Sequence, residues 1–124
     1  MNIGRVLSTV ALLFLLSAAC GSSPVTGENN LVTLTAKLTV KAGKEQEFET
    51  TMKGVVPKVR QEPGNRAYIM CRSKENPRVF LFYEEYVDQA AIAAHRQHLK
   101  ELGVDLIAFL DGAPVLEFYD KVAS

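Results

Sequence analysis

Two histidines placed three residues apart are the side chains of this sequence best suited to acid–base or metal chemistry. His95 and His98 follow an alanine-rich run that favours a helix, so both side chains should share one helical face. A metal would need a converging third ligand, and Glu101 lies three residues further on. A single histidine in a pocket can transfer a proton, because its pKa lies near neutrality. We favour proton transfer and expect no metal site, with two solvated histidines as the simplest alternative.

Three tyrosines fall in two strand-like segments that could face a common pocket. Tyr68, Tyr83 and Tyr86 could orient a phenolic or quinone molecule through hydroxyl hydrogen bonds and ring stacking. Tyrosines in such positions are more often core residues whose hydroxyl is hydrogen-bonded, so both interpretations stay open.

A pair of adjacent glutamates belongs to the second of these segments. Glu84 and Glu85 should point to opposite faces of a strand, so they cannot act as the paired carboxylates of a glycosidase. The one that shares a face with Phe80 and Phe82 needs a partner, because a buried unpaired charge is costly. Three arginines could supply it: Arg60, Arg66 and Arg72.

The N-terminal segment is typical of a bacterial lipoprotein signal peptide. Arg5 precedes an uncharged run over residues 6–19, shorter than the roughly 20 apolar residues of a transmembrane helix. The run ends Leu-Ser-Ala-Ala-Cys, so Cys20 would receive the lipid and become the mature N-terminus. We expect residues 1–19 to be removed and residues 20–30 to form a flexible, lipid-anchored tether. The protein would then lie in the cell envelope, on the periplasmic or extracellular face of a membrane; an ordinary secretory signal is the alternative.

Lipidation of Cys20 would leave the second cysteine of the chain, Cys71, without a partner. An unpaired thiol in an oxidising compartment needs shelter, so we expect Cys71 to be buried as a small hydrophobic residue.

Length and composition exclude several classes of protein. The chain has 124 residues, enough for one domain, and a formal net charge of zero, which gives no reason to expect a nucleic-acid partner. It has no Gly-rich phosphate loop, no paired cysteine cluster, and no flavin or nicotinamide signature.

Hydrophobic periodicity predicts a β-α-β-β-α-β order over residues 31–124. Alternation over 31–40 indicates a strand, and apolar residues from Phe48 to Val59 recur at helical spacing, with Pro57 near the end of that helix. Two strands over 66–73 and 79–86 should follow as a hairpin. A helix from residue 89, capped by Asp88, and a last strand over 114–122 complete the order. This is the ferredoxin-like arrangement, an α+β fold. The strand at 79–83 is apolar on both faces, so a second copy of the sheet is expected to cover one of them.

The folded part also resembles the antibiotic biosynthesis monooxygenase family over about residues 31–121. The resemblance rests on residues 40–45 with Glu47 and Phe48, on residues 60–65 with Tyr68, on residues 82–86, and on Asp88, Ala90, Ala91, Ala94, His95 and Pro114. It implies a homodimeric α/β barrel that oxidises a quinol or another electron-rich phenol with O2 and needs no cofactor. It further implies His95 as the catalytic residue, with Asn65, Tyr68 and Tyr83 binding the substrate.

Departures from the family pattern narrow this expectation. The haem-degrading branch uses a Trp and a first-strand Asn, whereas this chain has no Trp and carries Ala36 at the matching position. We therefore do not expect haem degradation. Two alternatives remain: an isomerase that acts by proton transfer, and a non-catalytic small-molecule binding or stress module on the same fold.

Overall fold

A computed structural model of the protein describes residues 30–124. The predicted signal peptide, Cys20 and all of the predicted tether except Asn30 lie outside the described residues. The elements are β1 (Val32–Thr39), α1 (Glu45–Val59), β2 (Asn65–Arg72), β3 (Val79–Tyr86), α2 (Gln89–Glu101), α3 (Leu106–Phe109) and β4 (Val115–Tyr119). The predicted order is confirmed, with α3 as a single additional turn. In this part of the chain no helix is long and apolar enough to span a bilayer.

The four strands form one antiparallel sheet in the order β2-β3-β1-β4. β2 and β3 pair as the predicted hairpin, and β3 pairs with β1 over all eight residues from Val32↔Tyr86 to Thr39↔Val79. Both long helices lie on the same side of the sheet, which confirms the ferredoxin-like fold. Any site between sheet and helices is therefore lined on one side by the inward-facing side chains of the strands.

The core lies between this side of the sheet and the helices. Phe48 on α1 is fully buried and packs edge-on against Phe80, Phe82 and Phe109, with ring centroids 4.9, 6.4 and 5.5 Å away. The buried stripe of α1 comprises Phe48, Met52, Val55 and Val59. Helical spacing puts these side chains on one face, so the prediction for this helix is confirmed.

The helix α2 is positioned by its N-terminus. The carboxylate of Asp88 accepts a hydrogen bond from the backbone N–H of Ala91 at 2.8 Å, as the predicted cap requires. Gly64 packs directly beneath Ala91, and a Cβ on Gly64 would lie 2.4 Å from the Ala91 Cβ. This contact sets how closely α2 approaches the segment that joins α1 to β2.

The opposite side of the sheet, which we call the outer face, is uncovered by this chain. It exposes large apolar side chains: Ile69, Leu81, Val115 and Tyr119. Cys71 pairs with Leu81 on this face and is exposed, so the expectation that it is buried was wrong within a single chain. The local sequence indicated a strand but did not show which side of that strand faced the core.

Candidate functional site

A cavity of about 250 Å³ lies between the sheet and the helices, and it is lined mainly by aliphatic and aromatic side chains. Four polar or charged side chains also line it: Tyr68, Glu84, His95 and Arg96. Leu116 contributes to the wall and is 44% exposed, so the cavity opens near β4. An apolar cleft with a few converging polar groups is the usual form of a small-molecule site.

His95 projects from α2 and is only 5% exposed. Its Nδ1 lies 3.1 Å from both carboxylate oxygens of Glu62. Because a carboxylate can only accept, Nδ1 carries the proton and Nε2 keeps a lone pair. Burial lowers the pKa of His95, and the neighbouring Glu62 partly opposes that effect. The ring is therefore neutral near pH 7, with one nitrogen available to accept a proton.

His98 shares the same carboxylate as His95. Its Nδ1 lies 2.7 Å from Oε1 of Glu62, and its side chain is 31% exposed. Glu101 is exposed and accepts a hydrogen bond from Gln97 instead. Within residues 30–124, no three His, Cys, Asp or Glu side chains are grouped to hold a metal ion. Both histidines thus contact Glu62, with His95 buried and His98 facing solvent.

Glu62 is the site residue that sequence reasoning missed. Its position in Glu62-Pro63-Gly64-Asn65 indicated only a turn, and the backbone confirms the turn through Asn65 N–H donating to the Glu62 carbonyl at 3.0 Å. The side chain, however, reaches a histidine 33 residues further along the chain. No periodic pattern in the sequence links positions so far apart, because this contact depends on how α2 packs against the turn that bears Glu62.

Glu84 is the member of the glutamate pair that faces the helices. It is 7% exposed, and its Oε2 accepts a hydrogen bond from the Tyr86 hydroxyl at 2.8 Å. The expectation of an arginine partner was wrong: Arg60 and Arg66 are exposed, and Arg72 lies further along β2 and pairs with Glu49. Burial raises the pKa of Glu84 to about 7, against the lowering effect of the Tyr86 hydrogen bond.

Two tyrosine rings enclose His95 from the sheet side. The ring centroids of Tyr68 and Tyr86 lie 5.4 and 5.3 Å from that of His95. Both tyrosines are buried, and burial raises the pKa of each phenol well above its ordinary value. Tyr68 therefore lies where the sequence analysis expected it, on the cavity wall, as a neutral phenol.

Tyr83 and Asn65 lie elsewhere. Tyr83 is on the outer face, where its hydroxyl donates to Glu85, so the expectation that it faces the same pocket as Tyr68 and His95 was wrong. The reason is the two-residue period of a strand, which places Tyr83 opposite to its neighbour Glu84. The Asn65 amide donates to the Ala67 carbonyl at 3.0 Å beside an irregularity in β2, and it does not line the cavity.

A second and larger depression, of about 480 Å³, lies outside the Glu62–His98 contact. Its wall includes Lys58, Gln61 and Glu101, all exposed, and it is a surface groove between the end of α1 and α2. The enclosed cavity at His95 is the better candidate for chemistry, because buried groups there are shielded from bulk water.

These features define a ferredoxin-like domain with a small-molecule cavity between sheet and helices. A model of the antibiotic biosynthesis monooxygenase family matches residues 31–100, and the chain belongs to that family. A solved structure from Caulobacter crescentus, assigned by name to these monooxygenases, is 31% identical with a TM-score of 0.67 and covers 77% of this chain and 92% of its own.

Two further solved structures share the fold. A Nitrosomonas europaea protein, also assigned by name to these monooxygenases, is 20% identical with a TM-score of 0.69, over 77% of this chain and 93% of its own. A conserved protein of Methanosarcina mazei is 28% identical with a TM-score of 0.66, over 75% and 94%. No curated protein matches the sequence.

Proposed function

We propose that this protein is a cofactor-independent monooxygenase that oxidises a quinol or another electron-rich phenol with O2. The observation that carries the proposal is the neutral His95, held by Glu62 and lining an apolar cavity. The family and the names of its structural relatives support oxygenase chemistry of this class. The substrate itself would supply the electrons.

His95 would act as the base. Its Nε2 takes the phenolic proton, and the Glu62 carboxylate stabilises the imidazolium that results. The phenolate is far more easily oxidised than the phenol, so the deprotonated ring reacts with O2. One oxygen atom enters the ring and the other leaves as water, with both hydrogens of that water coming from the substrate. Tyr68, beside His95, would orient the bound ring.

The cavity favours an apolar, neutral aromatic substrate. Most of its wall is aliphatic or aromatic, which suits a flat ring. Enclosure also keeps water from the phenolate, which would otherwise be reprotonated.

Oxygen uptake tests this proposal directly. The full chain, in detergent, is assayed against a panel containing 1,4-dihydroxynaphthalene and dithranol, with the rate without protein subtracted. His95→Ala should lower the rate at least tenfold, whereas Gln97→Ala, exposed on the same helix, should leave it unchanged. Tight binding without oxygen uptake would instead indicate a binding module, and turnover without oxygen an isomerase.

We also propose that the protein is a homodimer in which two outer faces pack together. On the outer face Ile69 and Leu81 lie on neighbouring strands, and Val115 lies beyond the exposed Lys37 of β1; a second sheet would cover these apolar side chains. Such packing would also shelter the Cys71 thiol, which an oxidising compartment requires.

Finally, we propose that Cys20 is lipidated and anchors the domain to the cell envelope of a bacterium. The support is the sequence of the N-terminal segment, with its basic residue, its short apolar run and the small residues before the cysteine. Mass spectrometry of the membrane fraction should find an acylated N-terminus at Cys20, and Cys20→Ser should abolish it.

A further inference from the structure

The cavity wall contains a second titratable residue, Glu84, that takes no part in proton abstraction by His95. Glu84 projects from β3 into the wall that faces α2, so it lies across the cavity from the helix that carries His95. Within residues 30–124 it makes no ion pair, and the Tyr86 hydroxyl is the hydrogen-bond partner that the structure gives it. Burying a carboxyl group costs free energy, so a buried carboxyl group in a cavity wall is a candidate functional group.

We propose that Glu84 is the catalytic acid of the oxygenation, acting on the bound peroxide while His95 acts as the base. This inference rests on the proposed function and adds a second catalytic residue to it. Reaction of the phenolate with O2 forms a C–O bond and leaves a peroxide anion on a ring carbon that still carries a hydrogen. The proton that His95 took from the phenol moves to this anion, giving a hydroperoxide.

The next step needs an acid and a base together. His95 takes the proton from the ring carbon, the C=O bond forms and the O–O bond breaks. The departing hydroxide takes the Glu84 proton and leaves as water. The proton on His95 then returns to the Glu84 carboxylate, directly or through water, and both groups are restored. Phenol and O2 are thereby converted to quinone and water, with no other oxidant or reductant.

The surroundings of Glu84 suit an acid at neutral pH. The groups that face it are Tyr86 on its own strand, Tyr68 on β2, His95 and Arg96 on α2, and Glu62 before β2. Leu34 on β1 and Met52 on α1 add apolar wall. Burial and Glu62 favour the neutral carboxyl, whereas Tyr86 and the more distant Arg96 favour the carboxylate. The balance keeps a proton available near pH 7.

Glu84→Gln removes the acid and preserves the shape of the side chain, and Glu85→Gln is the matched control on the opposite face. With 1,4-dihydroxynaphthalene as the probe, Glu84→Gln should lower kcat at least tenfold and leave KM within twofold. Because the O–O bond of the bound hydroperoxide is not cleaved, hydrogen peroxide should be released in place of water. Incorporation of ¹⁸O from ¹⁸O2 into the product should fall as the yield of hydrogen peroxide rises. Glu85→Gln should match the wild type in rate, peroxide and label.

Thermal unfolding of both variants shows that each is folded, and infrared difference spectra of the full chain test protonation without any substrate. A carboxylic-acid C=O band that titrates near neutral pH should persist in Glu85→Gln and be lost in Glu84→Gln. Wild-type kcat and label incorporation in a folded Glu84→Gln variant would overturn the acid role while leaving the proposed oxygenase intact. Absence of turnover by the wild type with any probe would overturn the oxygenase itself.

Discussion

Both carboxylate oxygens of Glu62 lie 3.1 Å from Nδ1 of His95, so a residue that looked like part of a turn fixes the tautomer of the buried imidazole. The pairing resembles in its logic the acid that orients a catalytic histidine in other enzymes, because it leaves Nε2 as the basic nitrogen. Removing the Glu62 carboxylate should therefore change the tautomer and pKa of His95 while the fold stays intact.

Glu62→Gln should change the protonation behaviour of His95. The carboxylate raises the histidine pKa against the lowering caused by burial, so a neutral amide should shift that pKa further down. ¹⁵N NMR of the imidazole nitrogens across pH 4–8 measures both the pKa and the tautomer. If Glu62 acts through His95, kcat should also fall by roughly tenfold to a hundredfold. The control is Glu101→Gln, an exposed acid on α2; an unchanged His95 titration in Glu62→Gln would contradict this role.

Glu84→Gln should be more stable than the wild type above neutral pH. The native pKa of Glu84, about 7, lies above its ordinary value of 4.5, so the native state binds the extra proton between these values. The contribution of Glu84 to stability is therefore fully present below pH 4.5 and is lost as pH rises through 7. Each pKa unit corresponds to about 1.4 kcal/mol, so the rise from 4.5 to about 7 sets an upper limit of roughly 3.5 kcal/mol for the difference.

Urea unfolding at a series of pH values measures this difference. Between pH 4.5 and 8 the free energy of unfolding of Glu84→Gln, relative to the wild type, should rise with pH. Glu85→Gln should not reproduce that rise, since the Tyr83 and Lys121 side chains hold the pKa of Glu85 below its usual range. Parallel curves for Glu84→Gln and the wild type would show that Glu84 is ionised at neutral pH.

Gly64→Ala should destabilise the protein, whereas Gly54→Ala should not. A Cβ on Gly64 would meet the Ala91 Cβ at 2.4 Å and force α2 away from the turn that bears Glu62. Overpacking of this kind costs about 1–3 kcal/mol. Gly54 lies within α1 with open space around it, so alanine there should stabilise the helix by up to about 1 kcal/mol. Denaturant unfolding measures both variants, and equal stability of Gly64→Ala and Gly54→Ala would disprove the close contact.

The sequence predicted the elements well because each has a local signal. β3 was predicted at Val79–Tyr86 and is observed there, and Asp88 caps α2 as expected. The positions of Tyr83 and Cys71 could not be predicted as well, because alternation separates two faces of a strand without saying which one meets the helices. In β3 both faces are apolar, so the usual distinction between core and solvent is lost.

The candidate site was predictable only in part for a different reason. His95 and Tyr68 lie on the cavity wall as expected, but Glu62 and the Tyr86–Glu84 hydrogen bond depend on how the elements pack. A buried carboxyl was expected to find an arginine, since ion pairs are the familiar solution. In the structure burial raises the pKa of Glu84, and the neutral Tyr86 hydroxyl is its hydrogen-bond partner. No sequence pattern predicts this arrangement.

Leu81→Lys should convert the proposed dimer to a monomer. Leu81 lies on the outer face between Cys71 and Lys37, and a lysine there would replace an apolar contact and add a second positive charge beside Lys37 between the packed sheets. We expect the dissociation constant to rise at least a hundredfold, as measured by size-exclusion chromatography with light scattering. Ile107→Lys, on α3 and away from the outer face, is the control, since Ile107 is already 85% exposed. The Cys71 thiol should react with a polar thiol reagent much faster in Leu81→Lys than in either the wild type or the control. Equal reactivity in all three proteins would mean that the outer face is open in solution, and a second chain would then have to be sought on another surface.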